Sequence, residues 1–169
     1  MPLLRRRRQI ITLFAGLVVM TGAVPAAQAL DDEDLWATVN VCDTADFPDT
    51  IGIRGSMPGS RSGEEVRWMR FVVEYFSKPD DRWYRVARGG DSGWLRVGKG
   101  RRVRQFGRSL RIEPPAGGRV LLRGRVYFQW RTERGDVLQR ASRRTQRGHR
   151  SNAGDDPRGY SAATCLIDG

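Results

Sequence analysis

The stretch Arg119–Arg131 alternates without a break. Its even positions are Val120, Leu122, Gly124, Val126, Phe128 and Trp130, and its odd positions are Arg119, Leu121, Arg123, Arg125, Tyr127, Gln129 and Arg131. Successive side chains of an extended chain point to opposite faces. Only a strand with one face buried and a largely basic face in water satisfies this pattern. A second split runs through Arg67–Tyr75, where Met69, Phe71, Val73 and Tyr75 share a face and Arg70 and Glu74 lie opposite.

Shorter strands are predicted over Leu35–Cys42, Ile51–Arg54, Trp83–Arg88, Trp94–Val97, Ser109–Glu113, Val137–Arg144 and Tyr160–Ile167. Turn signals separate them: Pro48-Asp49, Pro58-Gly59, Pro79-Asp80, Gly89-Gly90, Gly98-Lys99-Gly100, Pro114-Pro115, Gly135-Asp136 and Asp156-Pro157. No segment beyond the leader described next carries a helical period. Many short strands with turns every 8 to 12 residues predict one all-β domain, a single antiparallel sandwich over residues 35–169. The segment from Gln146 to Arg158 reads as poorly structured.

The N-terminus reads as an export signal. Arg5 to Arg8 form a basic run, Ile10 to Val24 an uncharged apolar run of 15 residues, and Pro25-Ala26-Ala27-Gln28-Ala29 a small-residue cleavage sequence. A permanent membrane helix needs about 20 apolar residues. Residues 1–29 are therefore expected to be removed, leaving a flexible acidic N-terminus at 30–34 ahead of the domain. Arg7-Arg8-Gln9-Ile10-Ile11 resembles a twin-arginine signal, but four consecutive arginines match that pattern easily, and the ordinary secretory route is expected. No cysteine lies near the apolar run, which excludes a lipid-modified N-terminus. The mature protein is expected to be secreted. Its length of about 140 residues buries about two-thirds of the unfolded surface, enough for one core.

Cys42 and Cys165 are the only cysteines. In an oxidising compartment two cysteines pair most simply with each other. A lone pair with one histidine, His149, cannot supply a four-ligand zinc site. The arrangement of Cys42 at the end of a first strand, Trp68 on a long following strand and Cys165 on the last resembles immunoglobulin-like and fibronectin type III-like sandwiches. Pro114-Pro115-Ala116-Gly117-Gly118 ahead of Val120 to Trp130 also resembles the turn into their long penultimate strand. In antibody-type domains the second cysteine sits on the penultimate strand, whereas here it is terminal. The resemblance implies an immunoglobulin-like fold and, by analogy alone, binding or adhesion.

Catalytic patterns are thin. Gly90-Asp91-Ser92-Gly93 resembles the nucleophile loop of trypsin-like proteases, whose serine needs a base beside it. The single histidine follows Ser92 rather than preceding it, and Trp94 replaces that family's next glycine. The acidic pairs Glu64-Glu65, Asp80-Asp81 and Asp155-Asp156 sit in turn-like segments, where nothing sets two of them across a cleft. Asp31-Asp32-Glu33-Asp34 lacks the spaced ligands and turn glycine of a calcium loop. No enzyme activity, metal or cofactor is expected.

Charge carries the functional expectation. Taking the four leader arginines from 30 basic residues leaves 26 against 19 acidic ones, a formal +7. The 28 arginines to two lysines reflect a GC-rich coding bias, yet the net charge favours anionic partners whatever its origin. One basic run comprises Arg96, Lys99, Arg101, Arg102, Arg104, Arg108 and Arg111, and a second Arg140, Arg143, Arg144, Arg147, His149 and Arg150. Arg119, Arg123, Arg125 and Arg131 share one strand face with Tyr127. Each arginine alone is a solvated surface residue; neighbouring one another, they would form a face for anionic cell-envelope polymers, acidic glycans or extracellular nucleic acid. The alternative is a protein-interaction or adhesion module that meets another secreted or surface protein through Trp83, Tyr84 and Trp94 or a sheet edge. N-terminal sequencing of the exported protein is predicted to begin at Leu30; a secreted chain that still carried Arg5 to Arg8 would contradict the leader assignment.

Overall fold

A computed structural model of the chain describes residues 33–149 and 153–169. The expected leader, residues 1–29, lies outside the described residues, as do 30–32 of the acidic N-terminus and Arg150. Nine strands follow in order: β1 (Trp36–Cys42), β2 (Thr50–Met57), β3 (Val66–Ser77), β4 (Arg82–Arg85), β5 (Leu95–Gly98), β6 (Arg104–Arg111), β7 (Arg119–Arg131), β8 (Val137–Arg144) and β9 (Cys165–Asp168). The described residues contain no helix.

The strands form two antiparallel sheets. One has the order β1-β2-β6. In the other, β3 and β7 form the centre, with β4 and β5 sharing the outer side of β3 and β8 and β9 sharing that of β7. The apolar sides of β3 and β7 meet those of β1 and β2, so Phe71, Val73, Val126, Phe128 and Trp130 share one core with Val39, Ile51, Ile53 and Met57. Gly124 completes the apolar face of β7 with no side chain. A Cβ there would lie 2.8 Å from the Ile53 side chain and 2.7 Å from that of Thr145, so the sheets close where the glycine stands.

The disulfide expected from the cysteine count is present and crosses between the sheets, with its Cα atoms 5.4 Å apart. Cys42 reaches this position through a bulge. Thr38 and Asn40 face outward on β1, and strict alternation would send Cys42 out with them. The register slips between Val39 and Val41, so Cys42 instead pairs with inward-facing Ile51. Cys165 pairs with buried Leu122 and meets it from the other sheet.

Four segments differ from expectation: β2 runs past Arg54 to Met57, β4 ends at Arg85 short of the expected Arg88, and two others depart further. β6 begins at Arg104, five residues before the predicted Ser109, because an edge strand pairs through its backbone. Its start, Arg104 to Arg108, answers Met57 to Ile53 with Phe106 as the single apolar residue, packed against the core, which is too little to show an alternation. Tyr160 to Thr164 is not strand; Ala162 makes a single bridge to Val39, and regular pairing starts only at Cys165. The described parts of 146–158 are also pinned: the amides of Gln146 and Asp156 donate to the carbonyls of Ala37 and Asn40. With His149 stacked on Trp36 at 4.4 Å, this segment covers the outer face of the three-stranded sheet, where Thr38 and Asn40 are buried.

A buried arginine fastens the crossover between the sheets. Arg67, 1% exposed, donates to the carbonyls of Gly98, Lys99 and Arg102. Among the described residues its hydrogen-bond partners are carbonyl oxygens at the β5–β6 turn, which compensate the burial of the cation.

The disulfide closes a loop with a sequence separation of 123, which constrains the unfolded chain by up to about 5 kcal/mol in the chain-entropy picture. Replacing both Cys42 and Cys165 by Ala is predicted to lower unfolding free energy by about 2–5 kcal/mol in denaturant titration. A loss below about 1 kcal/mol would contradict the role given to this bond.

Candidate functional site

The outer face of the six-stranded sheet is the uncovered counterpart of the strapped face opposite. Its floor follows from alternation and register. The odd residues of β7 point away from the core, and directly opposed residues of an antiparallel pair share a face. Gln129, Tyr127, Arg125 and Arg123 therefore stand beside Trp68, Arg70, Val72 and Glu74 of β3. β8 adds Arg144 next to Arg125, Ser142 next to Tyr127 and Arg140 next to Gln129. On the far side, β4 adds Arg85 beside Glu74 and Trp83 beside Phe76, and β5 adds Arg96 beside Trp68.

Glu74 organises the centre. Its side chain is 9% exposed and accepts hydrogen bonds from Arg123 Nε at 2.6 Å and Arg125 Nε at 2.8 Å, one on each oxygen. Burial pushes the carboxyl toward its neutral form, but the hydrogen bonds and charges of Arg125 and Arg123 outweigh it and hold the group below the usual carboxylate range. Beside this cluster Arg70 pairs with Asp91, whose isolated bridge to Val72 brings it onto the same face. The Arg70 hydrogen bond keeps the Asp91 carboxyl low. Two carboxylates thus face the arginines of five strands.

Aromatic rings support the guanidinium groups. Arg123 lies 4.1 Å above the Trp83 ring, and Arg131 lies 4.6 Å from the Trp68 ring and 5.0 Å from that of Trp94. Arg85 donates to the Tyr127 hydroxyl at 2.8 Å. Each stack orders a long side chain and contributes about 0.5–1 kcal/mol at exposed positions. The indoles at 83 and 94 are thereby half-buried beneath cations. Tyr84, the third aromatic anchor anticipated for an adhesion module, is 40% exposed and stacks on Tyr75 at the tip of the β3–β4 hairpin.

The basic residues anticipated as one patch are divided. Arg123, Arg125, Arg140 and Arg144 come together on the open face. Arg143 occupies the alternate position, opposite inward-facing Val126, and donates to the Leu35 carbonyl. Arg119 sits at the far end of β7, paired with Asp168. Arg101 and Arg102 are exposed on the β5–β6 connection, and Arg104 starts β6 in the other sheet with its Nη1 on the Val97 carbonyl. Arg111 of β6 pairs with Asp49, and Lys99 with Glu133 and Glu64. Glu74, Arg70, Arg85 and Asp91 were not anticipated in the site. Glu74 and Arg70 were visible as the outward residues of β3, but only the β3–β7 register reveals their partners.

The protease-like motif performs a structural task. Ser92 Oγ accepts the Phe71 amide at 2.9 Å and donates to the Gly93 carbonyl, while His149 stacks on Trp36 of the other sheet. The acidic pairs act in loops: Asp80 accepts from Ser77, Asp155 from the Gly159 amide and Asp156 from Thr44. Among the described residues no group of three or more His, Cys, Asp or Glu is placed to hold a metal, and no helix is long and apolar enough to cross a membrane. The chain matches no known family model, curated protein or solved structure.

Because the folded-state pKa of Glu74 is depressed, its stabilising contribution is full above the unfolded carboxylate pKa of about 4.3 and fades as pH falls through the lower folded value. Glu74→Gln is therefore predicted to destabilise the protein at pH 7, with the gap to wild type narrowing below about pH 4 in thermal unfolding. A gap that stayed constant down to pH 2 would show that the ion pairs contribute nothing.

Proposed function

We propose that the protein is a secreted, non-enzymatic binding module with an immunoglobulin-like sandwich, whose open sheet face engages anionic polymers of the cell envelope. The strand order supports the fold: β1-β2-β6 against β4-β3-β7-β8 parallels the two sheets of immunoglobulin-like and fibronectin type III-like domains, including a short strand beside the third. The disulfide suits an oxidising compartment.

One observation carries the binding reading. Arg70, Arg85, Arg96, Arg123, Arg125, Arg131, Arg140 and Arg144 share a face on which Glu74 and Asp91 are the opposing carboxylates. No carboxylate among the described residues lies in ion-pair range of Arg85, Arg140 or Arg144. Such a surplus on an open sheet attracts extended polyanions. The same geometry favours this over aromatic-anchored adhesion, since a partner approaching Trp83 or Trp94 meets the guanidinium of Arg123 or Arg131 first.

Retention on beads coated with polyphosphate or polygalacturonate tests the reading. Binding is predicted to fall at least tenfold between about 50 and about 200 mM salt. The double variant Arg140→Glu/Arg144→Glu is predicted to lose about tenfold or more at low salt, whereas Arg101→Glu/Arg102→Glu on the β5–β6 connection loses less than about threefold. Salt-insensitive binding, or equal loss in both variants, would overturn it.

A further inference from the structure

We infer that the centre of this face is a site for phosphoryl groups, formed by Arg85, Arg123, Arg125 and Arg144, with Glu74 as the residue that positions two of the four guanidiniums. The inference rests on the polyanion reading and specifies its chemistry. Three features of the cluster support it.

The arginines converge. Arg85 and Arg123 flank Glu74 in one cross-strand row, and Arg125 and Arg144 stand together in the next. Opposed residues in such rows are about 5 Å apart and successive outward rows about 7 Å apart, so arginine side chains reach across them. Arg85 does so: from β4 it crosses β3 to the Tyr127 hydroxyl on β7. Val72 lies in the middle of the outward face and is nevertheless 1% exposed, so the long side chains around it close over the sheet instead of splaying apart.

Three of the four guanidiniums keep their Nη groups clear of protein acceptors among the described residues, while Arg85 Nη2 donates to the Tyr127 hydroxyl. Glu74 takes only the Nε of Arg123 and of Arg125, one per carboxylate oxygen. Among the described residues, no Nη group of Arg123, Arg125 or Arg144 hydrogen-bonds to a protein atom. A buried carboxylate within a basic cluster lowers its charge. Its benefit is to fix two forks before a ligand arrives, which reduces the ordering cost of binding.

The charge and shape suit a phosphoryl group. Arg70, Arg85, Arg123, Arg125 and Arg144 against Glu74 and Asp91 leave an excess of three positive charges at the centre. A planar carboxylate presents only two oxygens in one plane, and Glu74 fills its own with one Nε from each of two arginines. A phosphoryl group offers tetrahedrally disposed oxygens and, when terminal, close to two negative charges, and so uses donors arriving from several strands.

Calorimetric titration of the protein with inorganic pyrophosphate, and with citrate at matched ionic strength, tests the assignment. Pyrophosphate is expected to bind at least tenfold more tightly than citrate. Glu74→Gln adds one net positive charge, so simple attraction would tighten pyrophosphate binding; the positioning role predicts a loss of about tenfold. Arg125→Lys keeps the charge but removes the fork, and it is expected to lose a similar factor even if Glu74→Gln fails to fold. Equal affinity for citrate, or unchanged or tighter pyrophosphate binding by folded Glu74→Gln or Arg125→Lys, would overturn the site. Beads separate the two levels of the account. Equal retention on polyphosphate and polygalacturonate refutes the phosphoryl site and leaves polyanion binding intact, whereas retention on neither refutes both. A glycerol-phosphate polymer and a single-stranded oligonucleotide of equal charge then identify the phosphate source. Retention of either supports the site, and retention of neither overturns it.

Discussion

Strand β7 joins two incompatible chemistries in one backbone, and the rest of the structure follows from keeping them apart. It pairs with β3 along most of its length and with β8 and β9 on its other side. Its even residues are packed against the three-stranded sheet, while its odd residues present arginine, tyrosine and glutamine. A one-residue slip of register would turn Arg119, Arg123, Arg125 and Arg131 inward and expose Phe128 and Trp130, a cost far beyond the stability of a small domain. The hydrophobic core and the basic face are thus set by one constraint.

The two outer faces solve the remaining problem differently. The segment after β8 lies across the three-stranded sheet and buries its polar residues Thr38 and Asn40 in hydrogen bonds with Ser161 and Gly154. The six-stranded sheet is instead covered by its own arginines, propped on indole rings and on the carboxylates of Glu74 and Asp91. Ordering of this kind limits the entropy that long cations would otherwise lose on meeting a ligand. The same arginines protect the sheet margins. Arg104 and Arg108 on β6 and Arg140 and Arg144 on β8 put charge on edge strands that would otherwise invite pairing with another chain.

The sequence was most readable where burial imposes a period. Arg119–Arg131 and Val137–Arg144 were recovered to the residue, because each alternates between a packed and a solvated side. β6 was half missed because an edge strand held by backbone hydrogen bonds needs no apolar alternation. The pairing of Cys42 with Cys165 followed from there being only two cysteines, but its geometry depends on a bulge at Val39–Val41 that leaves no mark on composition. Arginine count suggested one patch. Parity divided it, turning Arg143 toward Leu35 while its neighbours Arg140 and Arg144 remained on the face. The Glu74 cluster was invisible for a different reason: a lone glutamate facing solvent looks ordinary until the register of β3 against β7 places two guanidiniums beside it.

The proposed binding of anionic polymers has a definite location, the outer face of β3, β7 and β8. Nitrogen-15 NMR of the arginine Nε–Hε groups during titration with inorganic polyphosphate reads that location directly. The account predicts that the signals of Arg123, Arg125 and Arg144 shift first and most, while those of Arg101, Arg102 and Arg111 remain nearly still. Shifts concentrated on the β5–β6 connection and β6, with the Glu74-bound pair unmoved, would contradict it.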